Sequence, residues 1–128
     1  MAERREDSAA MRLFLALAGT YALSRQDAAR VLQATDIQFE TWRQAVVGGG
    51  ILAEPLPVVT QQALRDVVFA RTALRSLFVL PYHALAWMSS SNAAEPFAGQ
   101  SPIDLLRNEA HTGARRIADY LRGVLTHG

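Results

Sequence analysis

Leu23-Ser-Arg-Gln-Asp-Ala-Ala-Arg-Val-Leu-Gln-Ala-Thr-Asp-Ile-Gln-Phe-Glu-Thr-Trp-Arg43 has the spacing of two helices that cross through a tight turn. Ser24 is placed to N-cap the first helix, and Asp27 takes the position that a capping box gives to Glu or Gln. This helix runs to about Leu32. Thr35 or Asp36 caps the second, which spans Ile37 to about Val47. Ala29 falls where the two come closest and a small side chain is needed. Leu32, Ala34, Phe39 and Trp42 close a small core, the last two lying three apart on one helix face. Gly48-Gly49-Gly50 then stops the second helix, because three successive glycines make continuation entropically costly.

Upstream, Ala9 to Ala18 reads as a first amphipathic helix ended by Gly19. The apolar run Leu13–Ala18, with Ala16-Leu17-Ala18 at its end, invites a signal-peptide reading. It is short, however, Arg12 abuts it, and Glu3, Glu6 and Asp7 dilute the positive charge before it. Downstream, Ile51 to Val59 carries Pro55 and Pro57 and reads as an extended linker. From Thr60 the residues Leu64, Val67, Val68, Leu74, Leu77 and Phe78 recur at helical spacing until Pro81, and Tyr82 to Met88 forms a short helix bearing Trp87. Ser89 to Gln100 is a turn-prone surface loop. Ser101 and Pro102 open a helix that packs through Ile103, Leu105 and Leu106, and a last helix spans about Thr112 to Leu125 with Ile117, Tyr120, Leu121, Val124 and Leu125 on one face. The fold class expected is all-α: a three-helix helix-turn-helix module over residues 1–50, a linker at 51–59 and a small helical domain over 60–128.

With 128 residues, half of them hydrophobic, the chain is long enough to bury a real core. It has no cysteine, which excludes disulfides, zinc ribbons and thiol nucleophiles and fits a cytoplasmic protein. No apolar run approaches the roughly 18–20 residues of a transmembrane helix. The formal charge of +1 is no advertisement for nucleic acid, and the thirteen basic residues, all arginine, fit genomic base composition best.

The Leu23–Arg43 segment resembles the Xre-type helix-turn-helix, whose second helix enters the major groove. Gln33 stands where that family usually has glycine, and a left-handed glutamine comes at some cost. By this resemblance the DNA-facing residues are Arg25, Gln26, Thr35, Asp36, Ile37, Glu40, Thr41, Arg43 and Gln44. Asp36, Ile37, Glu40 and Thr41 make a poor reading surface: carboxylates accept from cytosine at best and repel phosphate, which leaves Arg25, Gln26, Arg43 and Gln44 for the backbone. Between Leu23 and Gln44, Arg25, Arg30 and Arg43 cancel Asp27, Asp36 and Glu40, for a net charge of zero.

The closing third carries Trp87-Met-Ser-Ser-Ser-Asn92, Phe97-Ala-Gly-Gln-Ser-Pro-Ile-Asp-Leu-Leu106 and Gly113-Ala-Arg-Arg-Ile-Ala-Asp-Tyr-Leu-Arg122 in that order. It resembles the toxin-binding domain of Xre/MbcA/ParS antitoxins, with their tryptophan, Gly-x-Ser-Pro helix start, Leu-Leu pair and closing helix. The resemblance implies a homodimeric antitoxin that binds a RES-type, NAD-consuming toxin, blocks its active site with C-terminal elements and represses its own operon. It nominates Trp87, Asn92, Gly99, Ser101, Pro102, Asn108, Gly113 and His127 for partner contact. Most of these residues also have a framework role: Gly99 turns the loop, Ser101 and Pro102 start a helix, and Leu105 and Leu106 lock it against the final helix and Trp87. The alternative is a stand-alone Xre-family transcriptional regulator that uses the closing domain for dimerisation or another protein partner, and a third reading is a structural adaptor.

No catalytic pattern or cofactor site is legible. His83, His111 and His127 are too scattered for a helical metal pair. Ser89-Ser90-Ser91 lacks a nucleophile elbow. Gly48–Gly50 follows a helix rather than a strand, the reverse of a phosphate loop.

Overall fold

The computed structural model describes residues 2–127. It is all-helical: α1 (Ala2–Thr20), α2 (Arg25–Val31), α3 (Asp36–Val46), α4 (Val58–Leu77), α5 (Pro81–Ser89) and α6 (Pro102–His127), with one 3-10 turn at Val47–Gly49. No strand occurs among the described residues.

Local chemistry explains most boundaries. The Ser24 hydroxyl accepts the Asp27 N–H at 3.0 Å and opens α2. Thr35 opens α3 with a full capping box: its hydroxyl accepts the Gln38 N–H, and the Gln38 amide oxygen accepts the Thr35 N–H. Asp27 does not complete the box at Ser24; its carboxylate faces Arg30 at 3.7 Å. The turn between α2 and α3 closes as a Schellman motif. The Gln33 N–H donates to the Arg30 carbonyl, the Ala34 N–H donates to the Ala29 carbonyl, and Gln33 takes a left-handed φ of 56°. Ala22, also left-handed at φ 55°, ends α1 in the same way, with bonds from Ala22 to Gly19 and from Leu23 to Ala18.

Two sequence expectations need correction. First, α1 does not start at Ala9 or stop at Gly19; it runs from Ala2 to Thr20. Its added turns are held by the segment before α4. The Ser8 hydroxyl accepts the Leu52 N–H at 2.9 Å, Asp7 accepts the Leu56 N–H at 3.2 Å, Arg4 donates to the Ala53 carbonyl and Arg12 to the Gly50 carbonyl. Second, Val58 and Val59 are not extended but form the first turn of α4, with Pro57 at its N-cap. The stretch ahead of them is a strap bound to α1, with Leu52 and Leu56 buried.

Residues from all six helices meet in one apolar core, among them Phe14, Leu32, Phe39, Leu64, Met88 and Ile117. α6 packs along α4 and also against α2. Polar ties reinforce the second contact: Arg30 donates to the Arg107 carbonyl at 3.1 Å, and Arg107 donates to the carbonyls of Tyr21 and Ala22, each at 3.3 Å. The buried Thr60 hydroxyl donates to the Leu32 carbonyl at 2.8 Å, which pins the end of α2 to α4.

The last helix is interrupted. Ala110 has φ 53° and ψ −124°, so α6 consists of two helical runs that meet at a sharp break, as the separate helices expected around Ser101–Leu106 and Thr112–Leu125 require. Gly113 sits just past the break, against the first run. A Cβ there would lie 2.6 Å from the Leu105 carbonyl oxygen, and a hydrogen is what fits.

Candidate functional site

The nine residues nominated for DNA contact lie on α2, on α3 and at the cap between them, and Arg25 of α2 reaches Glu40 of α3. Arg25, Gln26, Thr35, Asp36, Ile37, Thr41 and Gln44 are exposed, and Glu40 and Arg43 are half-buried. Ile37 stands apolar and 80% exposed at the start of α3. The polar groups around it are engaged with one another. Arg43 forks onto Glu40, with the Nε contact at 2.9 Å. The Gln44 amide donates to the same carboxylate at 3.2 Å, and Arg25 reaches it from α2 at 3.5 Å. The hydrogen bond from Arg43 is the main reason that the Glu40 carboxyl falls to about 2; desolvation is the next largest effect and opposes it, while bonding to Gln44 and the charges of Arg43 and Arg25 add to the lowering. Both arginines that flank α3 thus face a carboxylate. Thr41 donates to the Ile37 carbonyl, and Thr35 is occupied by its cap.

The residues nominated for toxin contact fall into two groups. Ser101, Pro102 and Gly113 are buried. The Ser101 hydroxyl caps α6 through the Asp104 N–H at 3.1 Å, Pro102 occupies the first helical position, and Gly113 lets the Leu105 carbonyl approach. Gly99, Asn108 and His127 are exposed, and Trp87 and Asn92 are half-buried. Asn92 closes the loop after α5: it donates its N–H to Gln100, accepts the Gly99 N–H at 2.8 Å and turns its side-chain oxygen to the Ala94 N–H. Asn108 donates to the Gln100 side chain at 2.7 Å. Trp87 lies edge-on to the buried Phe97 at 5.7 Å and stacks with Tyr120 at 6.1 Å. Loop, α5 and the second run of α6 thereby form one rigid corner, with Phe97 as its anchor.

Residues 73–124 match the family model described as the antitoxin Xre/MbcA/ParS C-terminal toxin-binding domain. The match runs from the last turn of α4 through α5 and the anchored loop to near the end of α6, and it includes every residue nominated for toxin contact except His127. No curated protein and no solved structure matches the chain.

Sequence reasoning passed over several residues that the matched stretch and its surroundings bring together. Asp66, whose side chain is 3% exposed, sits on α4 in a pocket of about 260 Å3 beside Gln33, His111, Thr112 and Arg115. Its carboxylate accepts from Gln62 at 3.3 Å and faces Arg115 at 3.7 Å. Burial raises its pKa, and the charge of Arg115 opposes the rise. Arg122 lies over the ring of Phe69 at 4.4 Å. The spacing of Asp66 among Leu64, Val67 and Val68 placed it next to the apolar stripe, which was the available signal. No group of His, Asp and Glu suited to a metal occurs among the described residues, and no described helix is long and apolar enough to cross a membrane.

Proposed function

We propose that the chain is the antitoxin of a type II toxin–antitoxin pair: as a cytoplasmic homodimer it binds and blocks a RES-type, NAD-consuming toxin and represses its own operon. The match of residues 73–124 to an antitoxin toxin-binding domain carries this reading. Residues 60–128 serve the toxin, through the exposed members of the corner built on Phe97 and through the end of α6. Residues 1–50, joined by 51–59, serve DNA with α2, its left-handed turn at Gln33 and α3 as the helix-turn-helix. The chain acts by occupying its partner and needs neither cofactor nor catalytic group.

The geometry supports a particular style of DNA contact. Arg25 and Arg43 share Glu40, so operator affinity leans on two-fold placement of paired modules and on phosphate contacts more than on base-reading forks. In this reading the 80% exposed Ile37 meets an apolar group such as a thymine methyl.

Co-expression with the neighbouring gene product tests the main claim. Growth is expected to stop with that product alone and to be restored by this chain; a neighbour that is harmless alone, or that stays toxic while this chain is abundant, sinks it. Titration of the chain's own promoter DNA at several salt concentrations tests the second claim, which fails if no sequence-selective shift occurs at any salt.

A further inference from the structure

The turn from α4 into α5 leaves an unusual concentration of large apolar side chains in water. Leu77, Val79, Leu80, Tyr82 and Leu85 are all exposed, Val79 at 95%. Leu85 also lines a groove of about 340 Å3 between the end of α1, the second half of α4 and α5, together with Leu17, Tyr21, Leu74, Pro81 and Ala84. Two guanidiniums, Arg71 and Arg75, stand on its α4 wall. Neither makes an ion pair or a side-chain hydrogen bond among the described residues, whereas Arg25, Arg43, Arg107, Arg115, Arg116 and Arg122 each face a carboxylate. A contiguous apolar surface with a charged rim marks an interaction site, and the i, i+4 pair of arginines sets the sign of what it accepts.

We infer that this groove docks an amphipathic helix of the toxin whose apolar face enters between α1 and α5 and whose flanking carboxylates meet Arg71 and Arg75. The inference rests on the toxin-binding reading above and adds a surface separate from the loop and tail nominated from the sequence. Three observations select the occupant. Leu77 to Leu85 lie within the matched toxin-binding residues 73–124, so the groove is continuous with that domain. The groove's elongated wall of α4 and α5 suits a helix laid along it. A second copy in two-fold contact would bring four guanidiniums and no carboxylate of the groove into one interface, which disfavours self-pairing here.

The test measures the affinity of the full-length chain for the purified RES-type toxin of the same operon. It compares the unaltered protein with Leu85→Asp, with Arg71→Glu/Arg75→Glu, and with Val58→Asp as a control at an exposed valine outside the groove; circular dichroism verifies that each variant is helical. We expect both groove variants to bind on the order of tenfold more weakly, the double charge reversal to lessen the salt dependence of binding, and Val58→Asp to bind as the unaltered protein does. Unchanged binding by the groove variants overturns the inference and leaves the antitoxin reading standing, as does equal weakening by Val58→Asp. A dimer-to-monomer shift of Leu85→Asp in light scattering, with toxin affinity kept, overturns it in favour of a second copy. Failure of the unaltered protein to bind the toxin removes both the inference and the reading beneath it.

Discussion

Two glycines in α6 should respond to the same substitution with opposite signs. At Gly113 an added Cβ lies 2.6 Å from the Leu105 carbonyl oxygen and 3.0 Å from its carbon, and ordinary contact begins at 3.4 Å. Both opposing atoms are backbone, and Leu105 is itself fully buried, so relief requires the two runs of α6 to part at the Ala110 break. Overpacking of this kind costs about 1–3 kcal/mol, against which alanine's better helix propensity returns about 0.5–1 kcal/mol. Gly113→Ala should therefore lose up to about 2.5 kcal/mol, with a mid-range value of about 1 kcal/mol, a fall in Tm of roughly 4–5 °C for a chain of this size. At Gly123 a Cβ meets nothing within 4 Å, so only the propensity gain remains. Gly123→Ala should rise by about 0.5–1 kcal/mol, or roughly 2–4 °C. Thermal melts followed by circular dichroism, with urea titration as a second measure, decide the matter. A Gly113→Ala protein as stable as the unaltered chain, or a pair that shifts in the same direction, refutes the close approach at the break.

Three other outcomes follow from described geometry. Gln33→Gly and Ala22→Gly should each raise stability by about 0.5–1 kcal/mol in a urea titration, since both residues hold left-handed Schellman positions that glycine takes without a Cβ penalty; a loss at both would show that their side chains matter more than their backbone. Asp66 has a carboxyl pKa raised above 3.8 by burial, so its native state holds the proton more tightly, and stability falls as pH climbs from 3.8 through the raised value. Asp66→Asn should flatten that fall in Tm measured across the acid range, and parallel curves for the two proteins count against it. Glu40 has the opposite sign: its carboxyl, lowered from 4.5 to about 2, contributes stability above 4.5 that is lost as pH drops through about 2. Under the DNA-binding reading, Glu40→Gln releases Arg25 and Arg43 and should tighten non-specific duplex binding while steepening its salt dependence by about one to two ions; an unchanged slope would mean that these arginines do not face phosphate.

The elements legible in the sequence are those whose ends are set by neighbours. Ser24, Thr35 and Ser101-Pro102 start helices by bonding within three or four residues, and periodicity located the apolar faces of α4 and of the second run of α6. The extension of α1 was hidden because its first turns are tied to residues 52–56, more than forty positions away. Gln33 was read as a departure from a glycine turn, yet two backbone hydrogen bonds keep the left-handed conformation in place. Of the nominated site residues, Ser101, Pro102 and Gly113 made the resemblance recognisable through their framework roles. The Glu40 cluster needed Arg25 and Arg43 from two different helices, so no local pattern displayed it. The bare turn at Val79 escaped notice because helical spacing alone assigns Leu77 and Phe78 to a packed face.

The grip of Arg107 on the Tyr21 and Ala22 carbonyls, with Arg30 bonded in return to the Arg107 carbonyl, has a consequence for how such chains can be shuffled. Residues 73–124 match one family model, but their helices lean on Leu64 and Val67 of α4 and on α2. A recombination event that swaps in a foreign front half must also restore this polar clasp and the surface beneath it. Chimeras joined near Pro57 should survive when the donor supplies a matching α2 and fail when it does not, so front and rear halves are expected to be inherited as co-adapted pairs.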